Sequence, residues 1–294
     1  MQDRRITRGE AVTTRRRIAL ALGGGGARGL AHIGVVRAVE ERGYAIEAIA
    51  GCSMGGIVGA MVGSGLGSRD MVDIVHKTRF HDILDFGEKG GLVGGKGIER
   101  LLAEHVRADF ADLDIPLKVT AVDVQRGSLV ILGTGQLVPA LRATSALPGI
   151  LSPVEHLGRV LLDGGLLNNL PIDVARTMSL SPLVAVDVAA PPDRHLDFDE
   201  GHSLLETIRR LSQREFRTLT IELFMKSFDI PQRLITETRL AMDPPEVLIR
   251  PDLDLDFGVE DVHRLEEAVA LGYEAARAAF DRLEDEAEDG PRRS

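Results

Sequence analysis

The sequence predicts an α/β fold, a three-layer α/β/α sandwich around a mostly parallel central sheet, and three observations carry that expectation. Ile18 to Leu22 is an unbroken apolar run ending in four glycines, the pattern of a strand buried on both faces. Strand, helix, strand and helix patterns then follow one another as far as Gly63, an order that implies parallel strands joined by right-handed crossovers. Further apolar strand patterns alternate with helical ones to the end of the chain, with no linker or internal repeat between them.

In order, Gly29 to Arg42 carries Leu30, Ile33, Val36 and Val39 at helical spacing, and Gly43 stands where glycine ends helices. Ile46 to Ala50 is the second strand and Met54 to Gly63 a helix of small residues. Leu117 to Val124 and Ser128 to Leu132 read as a hairpin around Arg126-Gly127. Arg159 to Leu162 and Leu183 to Val188 are further buried strands. Helical patterns fill Gly97 to Val106, Val138 to Thr144, His202 to Phe228 and Val262 to Asp281. Pro231 reads as a break followed by a surface excursion through Asp243-Pro244-Pro245. Gly87 to Gly97 holds six glycines and reads as a mobile loop bordering a site. Residues 1–16 and 284–294 are polar and aperiodic, the expected disordered arm and tail of a single domain over 17–283.

Composition narrows the partners. The 294 residues are 44% hydrophobic and 27% charged, as in ordinary globular proteins. A net charge of −10, with 45 acidic against 35 basic side chains, argues against nucleic acid, whose phosphates need a basic face. Aromatic residues at 4% without Trp argue against stacking of bases or sugars. The single cysteine, Cys52, allows no intrachain disulfide and no cysteine-based zinc site, and none of the eight histidines has metal-ligand spacing. No metal and no cofactor is expected. Arg15-Arg16-Arg17 before an apolar run mimics a signal peptide, but the run is too short. No apolar stretch reaches the roughly 18–20 residues that span a bilayer. A cytoplasmic location, or one peripheral to the inner face of the membrane, is expected.

Three motifs carry chemistry. Gly51-Cys52-Ser53-Met54-Gly55 lies between a strand and a helix, where G-x-S-x-G can form a nucleophile elbow with Ser53 at its tip. Gly51 and Gly55 suit a turn too tight for side chains, and the N-terminus of the following helix favours negative charge. Gly23-Gly24-Gly25-Gly26-Ala27-Arg28-Gly29 lies one strand earlier. It fits a dinucleotide-binding turn, except that the second strand lacks the acidic end that holds a ribose. It also fits an oxyanion hole, with the amides of Gly25 and Gly26 aimed at a developing alkoxide. Asp163-Gly164-Gly165 closes a later strand and, taken alone, is an ordinary turn.

Together, these motifs resemble the patatin-like phospholipase family, in particular its short bacterial members. The resemblance extends to Ser145-Ala146-Leu147-Pro148-Gly149, to Asn168 through Pro171 and to the last helix around Gly272-Tyr273, and covers about Arg17 to Asp281. It implies a patatin-like fold and hydrolysis of lipid acyl esters by a Ser53–Asp163 dyad that needs no histidine. It also implies an oxyanion hole from Gly24, Gly25 and Gly26, with Arg28 at the loop's basic position, supporting the loop or meeting an anionic head group. Two other readings stand beside it. One is an α/β-hydrolase with a Ser-Asp-His triad ending at His202 or His263, though only two strands precede Ser53. The other is a non-catalytic nucleotide-binding module built on the glycine loop. His32 and Cys52 read as packed residues. The amphipathic pattern from Leu204 to Phe228 reads as a helix covering the sheet. The sharper readings of residues 202–245 are a lid, a membrane contact or a homodimer contact.

Overall fold

The first strand, β1 (Arg17–Leu22), shows in its side chains why the molecule has three layers. Ile18, Leu20 and Leu22 point into one buried cluster, which includes Ile33, Val36, Ala268 and Phe280. Ala19 and Ala21 point into a second, with Ile172, Val174, Ala175 and Leu240. Helices therefore cover both faces, and an apolar run without alternation is what such a strand needs. The alanines on the second face let a short helix approach closely.

The computed structural model describes residues 16–78, 95–189, 213–253 and 261–288. A 3-10 turn (Gly26–Leu30) leads into α1 (Ala31–Glu41), then β2 (Ala45–Gly51), α2 (Met54–Gly63) and α3 (Ser68–Lys77). After α4 (Lys96–His105) come β3 (Leu117–Asp123), β4 (Ser128–Leu132) and α5 (Leu137–Thr144). The short β5 (Val154–His156) pairs with β6 (Arg159–Asp163), followed by α6 (Gly165–Asn168), α7 (Ile172–Arg176) and β7 (Leu183–Val186). The chain ends through α8 (Gln213–Met242), β8 (Val247–Ile249) and α9 (Leu265–Glu288).

The sheet order is β5-β6-β3-β2-β1-β7-β8, with β4 paired to β3. From β8 to β3 every pairing is parallel, while β4, β6 and β5 run antiparallel to their neighbours. Leu22 lies opposite both Gly51 and Val186, so the loops after β1 and β2 leave the sheet side by side. On β3, residues 117–119 pair with β2 and residues 121–123 with β6, whereas β4 takes residues 119–123. Since β4 fills one edge, β2 and β6 share the other and meet there end to end. Their C-termini, Gly51 and Asp163, face each other across the position of Thr120.

Several elements differ from the sequence expectations. Pro231 does not break α8, which runs through it to Met242. Phe228, Gln232, Thr236 and Leu240, at four-residue spacing, are buried, and that packed face holds the helix together across one missing backbone bond. The last helix continues past Asp281 to Glu288 because its face stays engaged: Glu284 accepts hydrogen bonds from Arg42 and Tyr44. The strand β7 stops at Val186, two residues early, where the chain turns to border the glycine loop. Residues 87–94 of the glycine-rich loop and 202–212 of the expected long helix lie outside the described residues, as do residues 1–15 and 289–294. Among the described residues, no helix is long and apolar enough to cross a membrane.

Candidate active site

Ser53 occupies the sharp corner between β2 and α2, with φ 51° and ψ −123°, a backbone state that L-residues avoid. Holding such a residue costs about 1–3 kcal/mol, which the surroundings must supply. They do so through close packing and fixed hydrogen bonds. A β-carbon on Gly51 would stand 2.6 Å from the backbone of Gly56, and one on Gly55 would run into the carbonyl of Leu22. The Cys52 amide donates to Leu22 O at 3.0 Å, and the Ser53 amide donates to the buried hydroxyl of Thr144 at 2.9 Å.

The Ser53 side chain, half-buried at the head of α2, lies beside the carboxylate of Asp163 and favours its ionised form. Asp163 is 3% exposed. The amide of Gly165 donates to its Oδ1 at 2.8 Å, and the thiol of Cys52 lies 3.5 Å from the same oxygen. Burial raises the Asp163 pKa from 3.8 to about 6, against the pull of these three groups. Burial first, and then the neighbouring Asp163 charge, push the Cys52 thiol well above its ordinary range, so it stays protonated and donates. The structure thus brings a hydroxyl and a carboxylate of raised basicity side by side.

The glycine loop lies against this pair. A β-carbon on Gly24 would stand 3.2 Å from Cβ of Ser53 and 2.5 Å from Oδ1 of Asn169. The Gly23 amide donates to Val186 O, and the Gly24 amide to Asn169 O at 3.2 Å. Gly25 and Gly26 are half-exposed, and among the described residues their amides have no acceptor. Gly26 has φ 57°, where glycine is at ease. Arg28 is 3% exposed beneath the loop, its amide donating to Gly25 O at 3.2 Å. Two amides of the loop are therefore without an acceptor among the described residues, while Gly23 and Gly24 fasten the loop to its neighbours and Gly24 brings it up to Ser53.

Among the described residues, no histidine reaches Asp163 or Ser53. His32 is fully buried, with Nε2 2.7 Å from Gly23 O, and burial lowers its pKa from 6.5 to about 4. The imidazole is neutral at neutral pH and braces the loop. His263 lies at the surface, its side chain 76% exposed and 3.9 Å from Asp261, and His202 lies outside the described residues. Among the described residues, no cluster of His, Cys, Asp and Glu is arranged to hold a metal ion.

Four residues at the site lie outside the three motifs that carry the chemistry. Thr144 holds the Ser53 amide. The Thr120 hydroxyl donates to Asn168 O at 3.2 Å. Asn169 contacts Gly24, and the buried Gln232 of α8 approaches Gly165 so closely that a β-carbon there would stand 2.5 Å from its Nε2. Asn169 lies in the Asn168 to Pro171 segment to which the family resemblance extends, whereas the other three had no signal in sequence.

A family model described as patatin-like phospholipase matches residues 20–176, a span that holds Ser53, Asp163, the glycine loop, Thr120, Thr144 and Asn169 but not Gln232. An NTE family protein of Mycobacterium tuberculosis is 36% identical over 190 residues, 58% of this chain and 49% of its own. Lysophospholipase NTE1 of Pyricularia oryzae is 27% identical, over 92% of this chain and 19% of its own. The chain thus spans about half the length of the mycobacterial relative and a fifth of the fungal one. Among solved structures, VipD from Legionella pneumophila aligns with a TM-score of 0.57 at 12% identity, over 91% of this chain and 67% of its own, a likeness of fold.

Proposed function

The chain belongs to the patatin-like phospholipase family, and from that premise we propose that it hydrolyses lipid acyl esters through an acyl-enzyme on Ser53. The observation that carries this reading is the placement of Ser53, at the strained corner after β2, beside the buried carboxylate of Asp163 at the end of β6. A carboxylate with a pKa of about 6 is a much better base than an exposed one, yet remains ionised at neutral pH.

In this mechanism Ser53 Oγ attacks the ester carbonyl while Asp163 takes its proton. The amides of Gly25 and Gly26 hold the tetrahedral oxyanion, each such donor being worth about 10²–10³ in rate. Gly24 contributes close approach to Ser53, not a donor, because its amide is already paired. The leaving alcohol receives the proton from Asp163, and the acyl group stays on Ser53. Water then attacks, gives its proton to Asp163 and releases the fatty acid as the proton returns to Ser53 Oγ. Arg28, being buried, supports the loop in this reading and does not meet a head group. The name of the fungal relative makes lysophospholipids the first lipid class to offer.

The test uses purified wild type, Ser53→Ala and Asp163→Asn with p-nitrophenyl butyrate, lysophosphatidylcholine and a fluorophosphonate probe. Both variants are expected to lose at least about 10³ in kcat/KM, and Ser53→Ala to lose labelling. Full turnover in Asp163→Asn would remove the dyad, and labelling of Ser53→Ala at wild-type level would remove Ser53 as nucleophile. Wild-type turnover in both His202→Ala and His263→Ala, made separately, would separate the dyad from a histidine triad.

A further inference from the structure

Asn169 grips Gly24 at two points. Its main-chain oxygen accepts the Gly24 amide at 3.2 Å, and its side-chain Nδ2 donates to the Gly24 carbonyl at 3.1 Å. The second bond matters more. The Gly24 carbonyl and the Gly25 amide belong to one planar peptide and point in opposite directions, so fixing the oxygen also fixes where the Gly25 N–H points. We propose that Asn169 is a positioning residue that aims the Gly25 amide at the oxyanion, tying the donor loop to the strand end that carries Asp163. This inference rests on the acyl-transfer reading of Ser53 and Asp163.

Physical reasons favour such a device. Both residues flanking the peptide are glycines, which lack the β-carbon that would discourage rotation of the peptide plane. A flipped peptide would present its carbonyl oxygen to the alkoxide and replace attraction by repulsion. A donor on the Gly24 oxygen also polarises the peptide, which strengthens the N–H at its other end.

The clamp has a firm base. Asn169 is 2% exposed, and the preceding residue is held from two sides: Thr120 donates to Asn168 O, and Asn168 Nδ2 donates to Asp173 at 2.8 Å. Arg239 of α8 in turn donates to Asp173 at 2.7 Å. A β-carbon on Gly165 would stand 3.1 Å from Asp163 Oδ1 and 3.2 Å from Asn169 Oδ1. The base and the clamp are thus placed by the same turn, which sets the donor in register with the base.

The test compares full-length wild type, Asn169→Ala and the isosteric Asn169→Asp, which keeps the shape and loses the donor. Endpoint labelling with a fluorophosphonate counts competent sites, and hydrolysis of p-nitrophenyl butyrate is expressed per labelled site. Both variants are expected to lose about 10² in kcat per labelled site, with KM within about threefold of wild type and slower phosphonylation. In Asn169→Ala the pH of half-maximal kcat/KM is expected to stay at the wild-type value, because Asp163 keeps its own donors. A merely structural role would lower the labelled fraction and leave turnover per site intact, and that result in both variants would overturn the proposal. Loss of cooperative unfolding in both would overturn it too, making Asn169 a residue of the fold instead of the donor. A rise in KM with kcat unchanged would do the same. Ser53→Ala, run in parallel, separates the two levels: if it hydrolyses at the wild-type rate, the acyl-transfer reading fails, whereas an inactive Ser53→Ala beside normal Asn169 variants removes only the clamp.

Discussion

Two buried groups beside Ser53 have pKa values displaced in opposite senses, and their effects on stability oppose each other. Asp163, raised from 3.8 to about 6, keeps a proton in the folded state that the unfolded chain has already released. Its contribution therefore stabilises the fold as pH falls from about 6 towards 4. His32, lowered from 6.5 to about 4, refuses a proton that the unfolded chain accepts, so its contribution is lost as pH falls from about 6.5 to 4. Each is worth about 3 kcal/mol over its window, and the two nearly cancel. Relative to wild type, Asp163→Asn is expected to lose stability progressively from pH 6 to 4, and His32→Gln to gain it by a similar amount. Urea unfolding of the three proteins across that range checks both slopes, and parallel curves would show that neither group titrates in this way. The same Asp163 pKa predicts an acid limb near pH 6 in kcat/KM, rising with pH as the base ionises.

At the scale of elements, α1 carries the glycine loop at its head and is pinned from behind by α9. The two helices touch at Gly34 and Gly272: a β-carbon on the first would strike the backbone of Val269 and Tyr273, and one on the second the backbone of Ala31. Gly34→Ala and Gly272→Ala are each expected to cost about 1–3 kcal/mol by forcing the helices apart. Because both relieve the same contact, the double variant should cost less than the sum, measured as a coupling energy from urea midpoints. Additive losses would show that the two glycines do not share one crossing. Gly34 did not announce this in the sequence, and Gly272 stood out only as part of the last-helix segment to which the family resemblance extends. What could be read there was local. The strands β1, β2, β3 and β4 and helix α2 showed as apolar runs bounded by glycines. The three-residue β5 and β8 are too short to make a pattern, and the part of α8 beyond Phe228 was hidden by Pro231, whose effect is overruled by a packed face. Ser53 and the glycine loop stood out because turn geometry demands unusual residues, whereas Asp163, in an ordinary turn, stood out only through the family resemblance. Thr144 and Thr120 did not, because a threonine that holds a distant backbone group looks like any other threonine.

At the scale of the whole molecule, the site depends on strands that contribute no residue to it. Ser53 and Asp163 are brought together because β2 and β6 end against each other on one edge of β3. Residues 20–176 hold both, together with the loop and the clamp. Yet β1, which carries the glycine loop, has β7 on its other edge, and the Gly23 amide needs Val186 O as its acceptor. Removing β7, β8, α8 and α9 would leave four residues of β1 without their parallel partner and uncover Leu20, Leu22, Ile33 and Val36, which share a cluster with Phe280. A marginally stable fold does not survive losses of that size, since burying each such side chain contributes about 1.5–3 kcal/mol and the whole molecule holds only about 5–15. A polypeptide of residues 17–176 is therefore expected to label with a fluorophosphonate at less than about a tenth of the full chain's stoichiometry and to unfold without a cooperative transition. Labelling at full stoichiometry would mean that the family-matched segment positions its own loop. In that case β7 and α9 would lose their part in holding the site, while the placement of Ser53 beside Asp163 would stand.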